Sequence, residues 1–298
     1  MTTLRIATRR SALALAQAKE VASLLSANAF RSEIVPMSTS GDEGAEPDDS
    51  PSGRKGLWVD RIVQALRDGE VDLAVHSAKD LPSEDEDGVA IGAVPRRADP
   101  LDVLIGRGAK LQPGMVVGTS SLRRRAQLLA GFPGMGVTEI RGNVDTRLRK
   151  LADGEVDGLV LAAAGLARLG VDPPNARKLR LEEMIPAPGQ GCLAVHVRDE
   201  DRSTRAVVSV LDHLPSRRAL EAERELVRLL GGGCDLPLGA FAATKDDRVR
   251  IVGIVASPDG GKVVRSAAEH TDPAAAASTL AERMKAEGAE RILAELQP

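Results

Sequence analysis

The stretch of residues 118–150 holds the side chains best suited to bind an anion. It contains seven arginines and lysines against two acidic residues, whereas the whole chain of 298 residues has 40 basic and 43 acidic ones. An arginine side chain suits carboxylate and phosphate groups because its planar fork of donors can contact two oxygens at once. This composition favours a site for an anionic ligand. The alternative is a solvated helix face with scattered ion pairs.

The local pattern at residues 115–124 shows how such a site would be built. An apolar run at 115–118 is typical of a strand, and three hydroxyl residues follow where a helix would begin. Hydroxyl side chains cap helix N-termini, and the free backbone N–H groups there bind anions. Arg123 and Arg124 fall in the first turn, where the helix dipole disfavours cations. We therefore interpret this pair as ligands for an anion rather than as helix-stabilising residues.

A similar pattern follows in the second half of the stretch. Residues 137–141 are predicted to form a strand, Gly142 a turn and Asn143 the cap of a helix. Arg141 and Arg147 flank that cap, so we assign them to the same anion site. The neighbouring basic residues assigned to a solvated helix face are Arg149 and Lys150.

A carboxylate that could do acid–base chemistry stands at Asp80, next to Lys79 and directly after an apolar run that predicts a buried strand. A carboxylate held near cations and an apolar wall can transfer protons or stabilise a developing positive charge. On these residues alone, a surface ion pair before the turn at Pro82 is the simpler interpretation. His76 is interpreted as a core histidine.

The elements that must position these residues alternate between strands and helices. Residues 4–8 are predicted to form a strand and 11–27 a helix, with Arg9 and Ser11 at the junction between them. A second strand is predicted at 31–39. The junction repeats the order of strand, arginine, hydroxyl cap and helix found at residues 115–124.

Residues 40–56 show no periodicity and are rich in Gly, Pro, Ser and Asp. A connection of this length is either a functional loop or a disordered linker, and the composition leaves both interpretations open. A helix is predicted to follow at 57–67.

The sequence DGEVD occurs at residues 68–72 and again at 153–157, each time between a predicted helix and an apolar strand. This repeat indicates two α/β domains of similar build. Alternating helices and buried strands are typical of doubly wound sheets, in which ligands bind beyond the carboxyl ends of the strands. We expect the site residues to line one cleft between the two domains.

Pro-rich segments at 95–100 and 187–191 are predicted to be the two crossings between these domains. Domain 1 is then residues 1–95 and 192–210, and domain 2 is residues 96–191.

Residues 214–298 are predicted to form a small third domain of class α+β. A charged helix at 216–230, three closely spaced strands and a final helical region at 274–296 support this prediction. Three glycines at 231–233 precede Cys234 and let its backbone approach another group closely. The alternative for Cys234 is a small, inert apolar residue.

The composition excludes several classes of function. Three Phe, one Trp and no Tyr argue against a single-stranded nucleic-acid binder, which stacks bases on aromatic rings. We find no apolar run of about 20 residues for a membrane span and no apolar leader, which predicts a cytoplasmic protein. Two cysteines and four scattered histidines predict neither a disulfide framework nor a metal site.

Several segments together resemble one family, the porphobilinogen deaminases or hydroxymethylbilane synthases. The matching segments occur in the family's order along the whole chain. They are RIATRRSALALAQA, KGLWVDRI, DLAVHSAKDLP, VVGTSSLRRRAQL, RGNVDTRLRKL, LAAAGLARLG, PAPGQG and GGCDLP. The resemblance implies two domains similar to those of periplasmic binding proteins and a third domain that carries the cofactor cysteine.

The resemblance also implies the chemistry. A dipyrromethane is attached by a thioether to Cys234, and four porphobilinogens lose ammonia and join it head to tail. Hydrolysis then releases linear hydroxymethylbilane. Asp80 matches the catalytic aspartate, which would stabilise the cationic azafulvene left by the loss of ammonia. Every pyrrole brings an acetate and a propionate, which accounts for the many arginines.

Matching residue by residue assigns the remaining site. The positions matched to cofactor contacts are Lys79, Asp80, Thr119, Ser120, Ser121, Arg123, Arg124, Arg141 and Gly142. Those matched to substrate contacts are Arg9, Ser11, Gln17, Lys55, Trp58, Arg141, Arg147 and Arg168.

Two positions depart from the family's usual pattern. Asp235 follows the cofactor cysteine where the family commonly has Gln, and its charge should disfavour the thiolate. Trp58 stands where Phe is more usual and is interpreted as an apolar cover over the cleft, with packing in the core as the alternative.

A different class of function also accounts for the cleft and its arginines. A non-catalytic two-domain binding protein for a small anion would share both features. It would need neither Asp80 nor Cys234, and it would usually carry an export segment. We expect porphobilinogen as the small-molecule substrate, no nucleic-acid or membrane partner, and a monomer.

Overall fold

The computed structural model of the chain describes residues 3–38, 60–84, 86–106, 108, 110–231 and 236–296. The first half of these residues contains β1 (Leu4–Arg9), α1 (Ala12–Ala27), β2 (Ser32–Met37), α2 (Asp60–Arg67), β3 (Leu73–Ser77), β4 (Val89–Ala93), β5 (Asp102–Gly106), β6 (Val116–Gly118), α3 (Leu122–Gly131), β7 (Gly136–Thr138) and α4 (Val144–Ala152). The second half contains β8 (Gly158–Ala162), α5 (Ala163–Leu169), β9 (Ala176–Lys178), β10 (Leu193–Arg198), α6 (Arg202–Val208), α7 (Leu214–Leu229), β11 (Leu238–Lys245), β12 (Arg248–Ala256), β13 (Val263–His270), α8 (Pro273–Ala286) and α9 (Ala289–Ala294).

Two five-stranded sheets have the same topology. The strand order is β2-β1-β3-β10-β4 in the first sheet and β7-β6-β8-β5-β9 in the second. In each sheet the first three strands are parallel, and the fourth runs antiparallel to both of its neighbours. That antiparallel strand, β10 or β5, is the first strand after a crossing from the other sheet. The fold therefore contains two copies of one α/β unit, as the sequence repeat predicted.

The DGEVD repeat makes the same contact in both units. Asp72 accepts a hydrogen bond from the backbone N–H of Arg5 at 2.7 Å, and Asp157 accepts one from that of Val116 at 2.9 Å. In return the backbone N–H groups of the two aspartates donate to the carbonyls of Arg5 and Val116. The glycine of each copy has a φ of +71° or +79°, which favours glycine. Each repeat thus ends a helix and fixes the start of the neighbouring strand.

Both faces of the first sheet are covered by apolar side chains. Leu73 packs with Val21 and Leu25 of α1 on one face, and Ala74 packs with Ile62 and Leu66 of α2 on the other. Strands buried on both faces consist mainly of apolar residues, as β3 and β10 do, with His76 and His196 as their buried polar residues. The prediction of doubly wound α/β units is confirmed, with one antiparallel strand added to each sheet.

The third sheet is an antiparallel meander in the order β11-β12-β13. Helices α7, α8 and α9 cover it, and their apolar residues share one core with the inward-facing residues of the strands. A Cβ on Gly253 of β12 would lie 2.9 Å from Met284 Sδ, so the glycine lets α8 lie close to the sheet. This is the small α+β unit that the sequence predicted.

Most predicted element boundaries lie within a few residues of those in the structure, with two differences. The strand predicted at 137–141 ends at Thr138, so Arg141 lies in the turn that follows. The final helical region is divided into two helices at Gly288, whose φ is +97°. The predictions made for residues 40–56, for Trp58 and for Cys234 lie outside the described residues. Among the helices that the structure describes, none has the length and apolar character of a membrane span.

Candidate functional site

The candidate site is built at the carboxyl ends of the parallel strands. Arg9 ends β1, the short turn Ala78–Asp80 follows β3, and the three hydroxyl residues at 119–121 follow β6. Two helices begin at this edge with side-chain caps. The hydroxyl of Ser11 accepts from the backbone N–H of Ala14, and that of Ser121 from the backbone N–H of Arg124. The predicted order of strand, arginine, cap and helix is present in the first unit. In the second unit the cap comes first, and Arg123 and Arg124 lie inside the helix.

A buried carboxylate holds the arginine pair of α3. Asp102 is fully buried, and its two oxygens lie 2.8 Å from Arg123 Nη1 and from Arg124 Nη2. Arg123 also donates to the carbonyl of Ile185 at 2.7 Å, and Arg124 to that of Val160 at 2.8 Å. The chain itself thus supplies an anion for this pair, so its position in the first turn of the helix does not require a ligand to explain it. A contact between the pair and a cofactor stays a prediction.

The same carboxylate connects the arginine pair to the second crossing. Gln190 Nε2 donates to Asp102 Oδ1 at 2.9 Å and to the carbonyl of Pro100 at 2.7 Å. Burial alone would raise the pKa of Asp102, but Arg123 and Arg124 outweigh it and hold the pKa well below its ordinary value. Asp102 is thus ionised, and its single negative charge is paired with two guanidinium groups.

Lys79 of the first unit interacts electrostatically with Asp102, Arg123 and Arg124 of the second unit. Burial lowers the pKa of its ammonium group, Asp80 and Asp102 act to raise it, and Arg124 and Arg123 lower it further. Interactions with both units place the Lys79 side chain at the boundary between them.

Asp80 is exposed, and it ends a short helical turn that contains Lys79. The second crossing packs closely against the backbone of this turn. A Cβ on Gly189 would lie 3.0 Å from the carbonyl carbon of Ala78 and from the backbone nitrogen of Lys79. An accessible carboxylate on a supported turn beside a cation has the arrangement that proton transfer requires.

The second pair of predicted arginines is divided between two environments. Arg147 is partly buried, and it donates to the carbonyl of Gly142 at 2.7 Å and to the hydroxyl of Ser120 at 3.3 Å. Burial and the charge of Arg124 lower the pKa of Arg147. Arg141 is exposed and forms an ion pair with Glu139 at 2.7 Å. The structure therefore places Arg147 with the residues of β6 and α3, and Arg141 on the surface.

Arg168 connects the two units instead of pointing into solvent. Its Nε lies 2.8 Å from a carboxylate oxygen of Glu20 in α1, and its Nη2 donates to the carbonyl of Gly191 at 3.2 Å. Gln17, one turn before Glu20, is buried. Of these two predicted substrate ligands, Arg168 thus lies at the contact between α1 and α5, and Gln17 lies in α1.

His76 is a core histidine, as predicted. It is 6% exposed, and its ring lies 5.2 Å from that of His196, centroid to centroid. Burial lowers its pKa well below the ordinary value, and the neighbouring His196 and Arg9 lower it further. The ring is therefore neutral, and its Nε2 has no hydrogen-bond partner among the described residues.

Sequence reasoning missed the acidic and amide residues that hold the site together. They are Asp102, Gln190 and Glu223. An acidic residue that opens the apolar strand DVLIG was the available indication for Asp102, since a buried carboxylate requires a cationic partner. The sequence offered no such indication for Glu223, because it lies in a helix rich in charged residues.

The donor set fits a ligand that carries carboxylates. Lys79 and Arg147 interact electrostatically with Arg124 of the buried guanidinium pair, and the buried Arg123 Nε has no hydrogen-bond partner in the described part of the chain. Cationic side chains beside capped helix N-termini match carboxylate groups. The described residues contain no group of three side chains that could hold a metal ion.

Comparisons of the sequence with family models and with known proteins agree on one family. Residues 4–206 match the family model described as porphobilinogen deaminase, dipyromethane cofactor binding domain, and residues 218–286 match that of the C-terminal domain. The porphobilinogen deaminase of Brevibacillus brevis is 42% identical over 98% of this chain and 97% of its own length. That of Thermus thermophilus is 45% identical over 89% and 88%. A periplasmic substrate-binding protein from Coxiella burnetii has a TM-score of 0.43 at 15% identity, over 72% of this chain and 93% of its own.

Proposed function

Because the chain belongs to the porphobilinogen deaminase family, we propose that it is a hydroxymethylbilane synthase that works through the residues described above. This activity is that of a transferase in porphyrin biosynthesis. It joins four porphobilinogens head to tail on a dipyrromethane primer, with loss of ammonia, and releases linear hydroxymethylbilane by hydrolysis. The observation that carries the proposal is the family match over both parts of the chain, together with an exposed Asp80 beside a cluster of cations.

Dipyrromethane is the cofactor of this family, and when bound it supplies the pyrrole terminus to which substrate units are joined. We assign its attachment to Cys234. The other cysteine, Cys192, is fully buried, and its burial raises the pKa of the thiol to about 12. A thiol that stays protonated at neutral pH is a poor nucleophile, so Cys192 is unsuited to form the thioether.

The cations hold the carboxylates of cofactor and substrate. Arg147 and Lys79 lie where they can contact a ligand at the strand ends, and the hydroxyls of 119–121 add neutral donors. The residues assigned to the cofactor are Lys79, Asp80, Thr119, Ser120, Ser121, Arg123, Arg124, Arg141 and Gly142. Those assigned to the substrate are Arg9, Ser11, Gln17, Lys55, Trp58, Arg141, Arg147 and Arg168.

Asp80 is assigned the catalytic role. Its exposed carboxylate stabilises the positive charge that develops on the substrate as the amino group leaves, and it accepts the pyrrole proton. Supported on a turn that Gly189 packs against, it can do this without a large change in its own position.

The domain limits, assembly state and location of the chain are also part of the proposal. We assign residues 1–95 and 192–210 to domain 1, 96–191 to domain 2 and 214–298 to domain 3. The three sheets support this division. We place the protein in the cytoplasm as a monomer without a nucleic-acid partner, which the balance of charges and the scarcity of aromatic residues support.

Intact-mass measurement of the purified protein tests the proposal. The wild type should carry a covalent adduct of dipyrromethane mass, which Cys234→Ala should lack. Cys192→Ala is the matched control and should keep it. An unmodified wild type that still forms hydroxymethylbilane would refute the assignment of Cys234.

A further inference from the structure

The far end of α3 is in backbone contact with the third sheet. The hairpin between β12 and β13 turns at residues 257–262 and meets the last turn of the helix. A Cβ on Gly260 would lie 2.4 Å from the backbone nitrogen of Ala130 and 2.8 Å from the carbonyl carbon of Leu129. Gly260 also has a φ of +74°. Only glycine therefore lets the two backbones touch.

The hairpin tip is closed by its own hydrogen bonds. The backbone N–H of Gly260 donates to the carbonyl of Ser257 at 2.8 Å, and that of Ser257 donates to the carbonyl of Lys262 at 2.9 Å. Asp259 accepts from the backbone N–H of Gly261 at 3.0 Å and from the hydroxyl of Ser257. Because these hydrogen bonds fix the length of the turn, the tip determines how closely the hairpin and the helix can approach each other.

Ile185 and Pro186 connect the middle of α3 to the third sheet. Gln127 in the middle of the helix exchanges two hydrogen bonds with the backbone of Ile185, at 2.7 and 3.0 Å. The next residue, Pro186, accepts from the backbone N–H of Ala240 in β11 at 3.0 Å. The end of the helix thus contacts the hairpin of the third sheet directly, and its middle is connected to that sheet through Ile185 and Pro186.

The other end of α3 carries Arg123 and Arg124. A helix of ten residues is a rod of about 15 Å, which transmits a displacement of its last turn to its first turn. We propose that Gly260 is a positioning residue, and that the hairpin tip sets the distance between these arginines and the third sheet. This inference rests on the proposed function, in which that sheet's domain carries the cofactor on Cys234 and the arginines hold the cofactor's carboxylates.

Gly260→Ala tests the inference, with Gly261→Ala as the matched control. A Cβ on Gly261 would meet only the side chain of Asp259, at 3.2 Å. In Gly260→Ala we expect a smaller fraction of molecules with the adduct mass after reconstitution, and faster amide hydrogen exchange in α3. We also expect a fall in kcat of about 10- to 100-fold, since small displacements of aligned groups are costly. Gly261→Ala should match the wild type in all three.

The inference would be overturned if Gly260→Ala had the same adduct fraction, kcat and amide hydrogen exchange in α3 as the wild type. A Gly260→Ala protein that is only less stable to heat, with unchanged kcat below its melting temperature, would also overturn it. If Gly260→Ala does not fold, Asp259→Ala is used to test the inference instead. It removes the hydrogen bonds that Asp259 accepts within the tip and adds no atoms against α3. Normal adduct loading in Asp259→Ala would then count against the inference. A wild type without any adduct would instead refute the proposed function.

Discussion

Arg97 and Glu223 form a buried ion pair where the chain crosses between its sheets, with Arg97 Nη1 2.6 Å from Glu223 Oε1. The same carboxylate accepts from the backbone N–H of Gly189 at 2.6 Å and from that of Ala242 at 2.7 Å. Arg97 lies in the first crossing, Gly189 in the second and Ala242 in the third sheet. One side chain of α7 therefore joins both crossings to the third sheet.

Glu223→Ala should lower the free energy of unfolding by about 3–5 kcal/mol, because it leaves the guanidinium of Arg97 buried without its partner. Urea unfolding followed by circular dichroism measures the change. Glu269→Ala is the control, since Glu269 pairs with Arg248 on the surface and its loss should cost less than about 1 kcal/mol. Equal losses in the two variants would contradict the structural role of Glu223.

Asp102→Asn should change how stability depends on pH. The folded-state pKa of Asp102 is depressed, so its charge adds stability that is fully present above its unfolded pKa of about 3.9. This stability is lost as the pH falls below that value toward the folded pKa. The free energy of unfolding should therefore decrease less steeply below pH 4 in Asp102→Asn than in the wild type. Parallel curves in the two proteins would show that folding does not depress the pKa of Asp102.

Asp80→Asn should keep the fold and the adduct mass and lose turnover by about 100- to 1000-fold, because the neutral amide cannot stabilise a developing cation. The exposure of Asp80 predicts an unchanged melting temperature. Steady-state formation of hydroxymethylbilane and intact mass measure the two effects. Turnover within a few-fold of the wild type would remove Asp80 from the catalytic role.

Arg141→Leu should slow chain growth by about 10- to 100-fold, the effect of losing a charged hydrogen bond to a ligand carboxylate. Rapid-quench mass spectrometry should then show partly extended adduct masses. Arg149→Leu removes another exposed arginine of the same stretch, and it should leave the mass distribution unchanged. The same distribution in both variants would assign Arg141 to the surface, where its pair with Glu139 lies in the structure.

The local elements of the site could be predicted from the sequence because each depends on nearby residues. The cap of Ser121 on α3 and the turn at Gly142 are set by short-range geometry, and both are present. The partners of Arg123 and Arg124 could not be predicted in this way. Asp102 lies about 20 residues earlier in the chain, and only the packing of β5 beside β8 brings it under the helix.

The position of β10 in the first sheet constrains how the chain can fold during synthesis. This strand lies between β3 and β4, yet it follows the entire second sheet in the sequence. When the ribosome has made the first hundred residues, β4 has no neighbour to pair with, and β3 has a bare edge. Bare edges of this kind promote aggregation. A nascent chain that stops before residue 193 should therefore need a chaperone, although every residue of its first four strands has been made.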